Sequence, residues 1–220
     1  MSVYVLDERI WFPPVENAIG DGLLAIGGDV SAERLLLAYQ KGIFPWYDDD
    51  LPLWWSPDPR FVLFPDKLKI TKSMRSVINS GRFQFRMNTA FEEVITNCKN
   101  IFRKDQEGTW INEDIIKNYT RLFKTGYAFS AEAWQNNELA GGLYGLKIGR
   151  MLFGESMFSK VSNASKFAFI SLIKKTGAEN IRLIDCQVYT PHLESLGAEM
   201  IARKEYIQIL EQEMANTHSI

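Results

Sequence analysis

The chain has 220 residues, 46% of them hydrophobic and 24% charged, with a formal net charge of −2. That length buries a real core, as one large domain or two small ones. Two cysteines, Cys98 and Cys186, are too few for a disulfide framework and read as reduced, intracellular thiols. No basic segment leads into an apolar run, and no apolar stretch approaches the roughly 18–20 residues of a membrane helix, so a cytoplasmic protein without membrane attachment is expected.

Taken in chain order, the first sixty residues are rich in Pro, Gly and Trp. They predict a small, loop-heavy domain around one helix, Ser31 to Lys41, with Ser31 as N-cap, Glu33 in the first turn and Gly42 as the C′ residue. A composition shift near Phe61–Pro65 marks a boundary, giving domains 1–62 and 63–220. Thr71 to Ser80 predicts a helix capped by Thr71 and ended by Gly81. Phe83 to Met87 alternates as a half-buried strand does. Thr89 to Lys99 reads as a helix with Phe91, Val94, Ile95 and Cys98 on one face. Asn112 to Lys124 predicts another, closed by Gly126.

The pattern then turns to strands. Ala128 to Gln135 alternates, Asn136-Asn137 offers a turn, and Glu138 to Gly149 returns. Met151 to Phe158 is a third strand, Asn163 to Lys175 a helix ended by Gly177, and Ile181 to Gln187 a short buried strand. Pro191 to Leu196 predicts a helical turn, and Met200 to Ile209 a closing strand. The order β-β-β-α-β-α-β is that of a mixed α/β (α+β) sheet.

Charge is unevenly spread. Residues 1–59 hold three Lys/Arg and ten Asp/Glu, whereas residues 60–104 hold ten and three. The middle segment is either a nucleic-acid footprint or a neutraliser of its acidic neighbour.

Four clusters carry candidate chemistry. Phe44-Pro45-Trp46 and Trp54-Trp55-Ser56-Pro57-Asp58-Pro59-Arg60 set tryptophans among prolines, either as stacking platforms or as plugs of the small domain's core. Gly108-Thr109-Trp110-Ile111 follows the basic pair Arg103 and Lys104, and Trp110 suits a ligand wall or the core. Gly154-Glu155-Ser156-Met157-Phe158-Ser159 and Ile184-Asp185-Cys186-Gln187 place acids at strand ends. There α/β sheets hold ligands, and a buried Asp needs a partner.

Other chemistries lack their residues. There is no HxxxH or CxxC metal spacing, so no metal is expected. His192 and His218 are the two histidines, each expected on the surface, and no GxSxG accompanies them. There is no GxxxxGK[ST] phosphate loop.

The stretches GLLAIGGDVSAERLLLAYQKGIFPW, LWWSPDPR, EGTWI, GGLYG, FGESMFS, NASK and LIDCQ occur in order along nearly the whole chain. Through them it resembles the bacterial leucyl/phenylalanyl-tRNA–protein transferases, departing at its ends and in the Lys104–Gly108 loop. The resemblance implies a small N-terminal domain plus a mixed-sheet domain similar to the GNAT acetyltransferases. It also implies transfer of Leu or Phe, less well Met, from aminoacyl-tRNA to the N-terminal Arg or Lys of acceptor proteins, marking them for degradation. An aminoacyl ester is already activated, so no cofactor is implied. A monomer is expected.

The same resemblance puts Asp185 and Gln187 at the reaction centre. As residues i and i+2 of a strand they are expected to share a face. Gln187 would accept a hydrogen bond from the amine, and Asp185 would either orient that amide or take the proton through water. Glu155 is expected to face the acceptor's cationic residue. Trp110, Leu143, Leu152, Phe153, Phe169, Leu172 and Ile184 are expected around the donor side chain, and Tyr39 and Trp46 around the terminal adenosine. Lys67, Lys69, Lys72 and Arg75 would hold the acceptor stem by its phosphates. A CoA-dependent acetyltransferase would carry (Q/R)-x-x-G-x-(G/A) after the central strand, where Ser159-Lys160-Val161-Ser162-Asn163-Ala164 has no glycine.

Overall fold

The computed structural model describes residues 3–47, 51–101, 110–177 and 180–217. Arg103, Lys104, Gly108, Thr109 and His218 lie outside the described residues. The chain begins with a four-stranded sheet of β1 (Tyr4–Leu6), β2 (Leu23–Gly27), β3 (Phe44–Pro45) and β4 (Leu53–Trp55), in the order β1-β2-β4-β3. Between its strands runs α1 (Ala32–Gln40), whose N-cap Ser31 accepts a hydrogen bond from the Arg34 amide at 3.3 Å, as predicted. Trp54 is the plug: it is fully buried and donates Nε1–H to the Gly27 carbonyl at 2.9 Å.

The chain enters the larger sheet with β5 (Arg60–Leu63), so this strand spans the boundary expected at residue 62. Then follow α2 (Lys72–Asn79), β6 (Gln84–Met87), α3 (Phe91–Asn100) and α4 (Glu113–Lys124). Next come β7 (Ala128–Gln135), β8 (Glu138–Ile148), β9 (Met151–Ser159), α5 (Ala164–Gly177) and β10 (Leu183–Gln187). The chain continues through α6 (Pro191–Glu194), β11 (Glu199–Ile201) and α7 (Arg203–Thr217). The seven strands are ordered β11-β5-β10-β9-β8-β7-β6, and only β9 and β10 run parallel. The fold is mixed α/β.

Helices cover both faces of this sheet. Residues of α1, α3, α4 and α7 share one apolar core with the small sheet, and α2 and α5 build a second core on the other face. Double coverage explains why β7 is buried on both sides up to Trp134, although its sequence alternates. Glu132 inside it is fully buried and accepts hydrogen bonds from the Thr89 and Ala90 amides, each at 2.9 Å, at the N-terminus of α3. Burial works against its charge. Hydrogen bonds from Thr89, Ser130 and Trp134 outweigh that and hold its carboxyl below the usual range.

Met200 to Ile209 departs from the expected strand, because β11 ends at Ile201 and α7 follows. Tyr206, Ile209, Leu210 and Glu213 are all buried, at i, i+3, i+4 and i+7, so helical spacing outweighs the short apolar run.

Candidate active site

The parallel strands β9 and β10 pair over Leu183 with Met151, Ile184 with Leu152 and Asp185 with Phe153. Beyond Phe153, β9 stays with β8 as far as Ser159, while β10 stays with β5. The two strands part at their carboxyl ends, and a cavity of about 680 Å³ opens between them. Its position and size are those of a ligand crevice in an α/β sheet.

Each strand carries a bulge at the split. The β8–β9 pairing steps from Gly145–Gly154 to Tyr144–Ser156, leaving Glu155 over. The β5–β10 pairing steps from Asp185–Val62 to Gln187–Phe61, leaving Cys186 over. Bulges re-aim side chains, and here they bring Glu155 and Gln187 together on the cavity wall, where Gln187 Nε2 donates to Glu155 Oε1 at 2.8 Å. The first bulge depends on Gly145: a Cβ there would lie 2.1 Å from the Phe153 carbonyl oxygen. The second bends Gln187 to φ +65°, a left-handed conformation that costs on the order of 1 kcal/mol for a residue with a side chain.

That bend overturns the shared face expected of Asp185 and Gln187. Asp185 is fully buried and does not line the cavity. Its Oδ1 accepts from Arg60 Nε at 2.8 Å and from the Gln187 amide at 2.9 Å. Its Oδ2 accepts from Arg60 Nη2 at 2.6 Å and from the Tyr206 hydroxyl at 2.8 Å. The Arg60 guanidinium lies 4.6 Å from the Phe44 ring centre and 4.7 Å from that of Tyr206. Asp185 thus anchors the bulge that carries Gln187.

Glu155 has the opposite surroundings. Part of the residue opens to the cavity, while Oε2 accepts from the Tyr119 hydroxyl at 3.0 Å, and that hydroxyl is 2.6 Å from the Tyr39 hydroxyl. Burial pushes its carboxyl up to about 7; hydrogen bonds from Tyr39, Tyr119 and Gln187 pull it down, and the charge of Asp185 pushes it up further.

The family models decide the kinship. The leucyl/phenylalanyl-tRNA protein transferase model matches residues 62–211, and that of the family's N-terminal domain matches residues 28–58. The chain belongs to the leucyl/phenylalanyl-tRNA protein transferase family. Its relative from Christiangramia forsetii is 54% identical over 211 residues, covering 94% of this chain and all of the relative. Another, from Flavobacterium johnsoniae, is 54% identical over 209 residues, covering 94% of this chain and 99% of the relative. Both are leucyl/phenylalanyl-tRNA–protein transferases. A GCN5-related N-acetyltransferase-like structure from Streptococcus suis, 9% identical, covers 73% of this chain and 59% of its own, with a TM-score of 0.36.

In this leucyl/phenylalanyl-tRNA protein transferase family member, the residues expected around the donor side chain divide. Trp110, Leu143, Phe169 and Ile184 line the cavity. Leu152 and Leu172 instead line a separate cavity of about 400 Å³. Phe153 meets the Tyr39 ring edge-on at 5.2 Å. Neighbours on a strand face opposite sides, so Leu152 packs with the α2–α5 core and Phe153 with the α1 side.

Trp46, 37% exposed, lines the cavity with its ring centre 6.1 Å from that of Trp55. Tyr39 is fully buried in the core against Phe153 and does not line the cavity, which leaves no ring face for a nucleoside. Lys69, Lys72 and Arg75 are exposed, and Lys67 is paired with Glu199. Met157, Ser165 and His192 also line the cavity without having been singled out for it. Thr190 caps α6, which carries His192; burial lowers the His192 pKa, with Lys166 adding to the effect. Arg60 closes the Trp54–Arg60 motif, but its pairing with Asp185 has no sequence signal. Among the described residues, no group of three or more His, Cys, Asp or Glu could hold a metal ion, and no helix is long and apolar enough to cross a membrane.

Proposed function

We propose that this protein transfers leucine or phenylalanine, and less readily methionine, from aminoacyl-tRNA to the N-terminal Arg or Lys of acceptor proteins, as a cytoplasmic monomer. The observation that carries this reading is one cavity with three kinds of wall. Leu143, Met157, Phe169 and Ile184 are apolar, Gln187 and Glu155 form a polar pair at the strand split, and Trp46 and Trp110 add flat rings. The apolar wall takes an uncharged donor side chain, and Trp46 stacks on the terminal adenosine.

An aminoacyl ester needs no further activation, so catalysis reduces to holding an amine against its carbonyl, which supplies several kcal/mol of the barrier. Gln187 donates from Nε2 to Glu155 and keeps Oε1 to accept from the amine. Asp185 and Arg60 fix the backbone that presents it. Glu155 adds a carboxylate on the acceptor's side of the cavity. Lys67, Lys69, Lys72 and Arg75 hold the acceptor stem by its phosphates. The Lys69 amide donates to the Leu196 carbonyl just past α6, which supports a path from the cavity to this basic segment.

The test mixes the protein with radiolabelled leucyl-tRNA and a protein starting with Arg. Label is expected in protein, and a protein starting with Asp should stay unlabelled. Aspartyl-tRNA should give none, and transfer of Asp as fast as Leu would refute the apolar slot. Enlarging that slot with Leu143→Ala should shift preference from Leu toward Phe by about tenfold.

A further inference from the structure

Resting on the transfer reaction proposed above, we propose that Glu155 is the base that takes the proton from the attacking α-amine, with Tyr119 as its positioning residue. A carboxylate offers about four lone-pair sites. All four of Asp185 are taken, by Arg60 twice, by Tyr206 and by the Gln187 amide. Fully buried and saturated, Asp185 has no site left for a substrate proton. Glu155 accepts from Gln187 Nε2 and the Tyr119 hydroxyl, and Tyr39 adds a third hydrogen bond, which leaves one site open. Among the described residues it is the one carboxylate on the cavity wall. An amine held by Gln187 Oε1 therefore sits beside a carboxylate with a free lone pair.

The groups facing Glu155 come from every side: Tyr39 on α1, Tyr119 on α4, Asp185 and Gln187 on β10, with Arg60 and Tyr206 behind Asp185. Their sum leaves the carboxyl near neutrality, close to an α-amine at about 8, which suits proton exchange between the two. In the step, the α-ammonium gives one proton to Glu155. The freed nitrogen pair forms the C–N bond, and the carbonyl pair moves to oxygen. On collapse the C–O bond to the ribose breaks, and the ribose oxygen leaves with a second proton from that nitrogen. Glu155 then returns its proton to water, so each turnover releases one proton.

The test is single-turnover transfer at saturating leucyl-tRNA and Arg-starting acceptor, followed from about pH 6 to 9.5, with circular dichroism confirming the fold. The wild-type rate should rise through about pH 7 and level off. Glu155→Gln should be about 10²-fold slower at pH 7, and its deficit should shrink once the pH passes the amine's own pKa of about 8. Tyr119→Phe, which removes a hydrogen bond to the carboxylate, should move the wild-type midpoint upward and keep the plateau. A Glu155→Gln deficit constant at every pH, or confined to acceptor KM, overturns the proposal. So does an unchanged midpoint in Tyr119→Phe. No transfer by the wild type at any pH overturns the transfer reaction itself, and this assignment with it.

Discussion

Asp185 and Arg60 form a buried pair in which each charge depends on the other. Asp185→Asn should therefore destabilise the fold by about 3–5 kcal/mol, seen as a lower denaturation midpoint. A double change, Arg60→Met with Asp185→Leu, should recover most of that stability while transfer stays low, because nothing then holds the Gln187 amide. Equal recovery of stability and activity would refute the anchoring role. Glu155 makes stability depend on pH. Its folded pKa of about 7 lies above the ordinary 4.5, so the stability it contributes is fully present below pH 4.5 and lost as pH rises through 7. Glu155→Gln should accordingly be more stable than wild type at pH 8, by on the order of 1–3 kcal/mol, with the difference gone near pH 4. Denaturant titration at both pH values checks this. The sequence pointed to both acids and to Gln187, but its two-residue strand period misplaced them. A bulge has no signature in alternation, and neither does the burial that saturates Asp185. Arg60 stood in a motif, but its role did not show because its partner lies 125 residues away.

The elements themselves were largely legible. Ser31, Thr71 and Asn112 cap the helices they were expected to start, and Asn136 and Asn137 take positive φ in the predicted turn. α7 was missed because its inward face includes Glu213, which is held there by Arg150 at 2.7 Å. A charged residue on a buried face defeats a hydrophobic pattern. The β8–β9 bulge gives a further prediction. Gly145→Ala puts a methyl against the Phe153 carbonyl, which can relax only by moving β9. It should cost about 1–3 kcal/mol and lower the transfer rate further by displacing Glu155. Gly177→Ala, with open space around its Cβ, should leave the rate unchanged. Thermal melts and single-turnover rates for both variants make the comparison; an unimpaired Gly145→Ala would show that the bulge is not needed.

At the scale of the whole molecule, the charge asymmetry of the sequence becomes a surface. Lys72 and Arg75 are exposed on α2, and their removal should lower the slope of log tRNA affinity against log salt by about 1–2. Transfer from a minimal aminoacyl-adenosine should be unaffected, and equal damage with both donors would place the stem elsewhere. Lys67 should matter less, because Glu199 already neutralises it. The hydrogen-bond chain of Tyr39, Tyr119, Glu155 and Gln187 has a consequence for synthesis as well as for catalysis. Tyr39 and Tyr119 are 80 positions apart, Tyr119 and Glu155 are 36, and Glu155 and Gln187 are 32. Each link closes a long loop before it returns any stabilisation. A growing chain therefore carries its tryptophan platform and its first bulge long before β10 arrives to complete the cavity. Until that strand docks, the cavity lacks the wall that carries Gln187, and the site is completed in one step when β10 takes its place between β5 and β9.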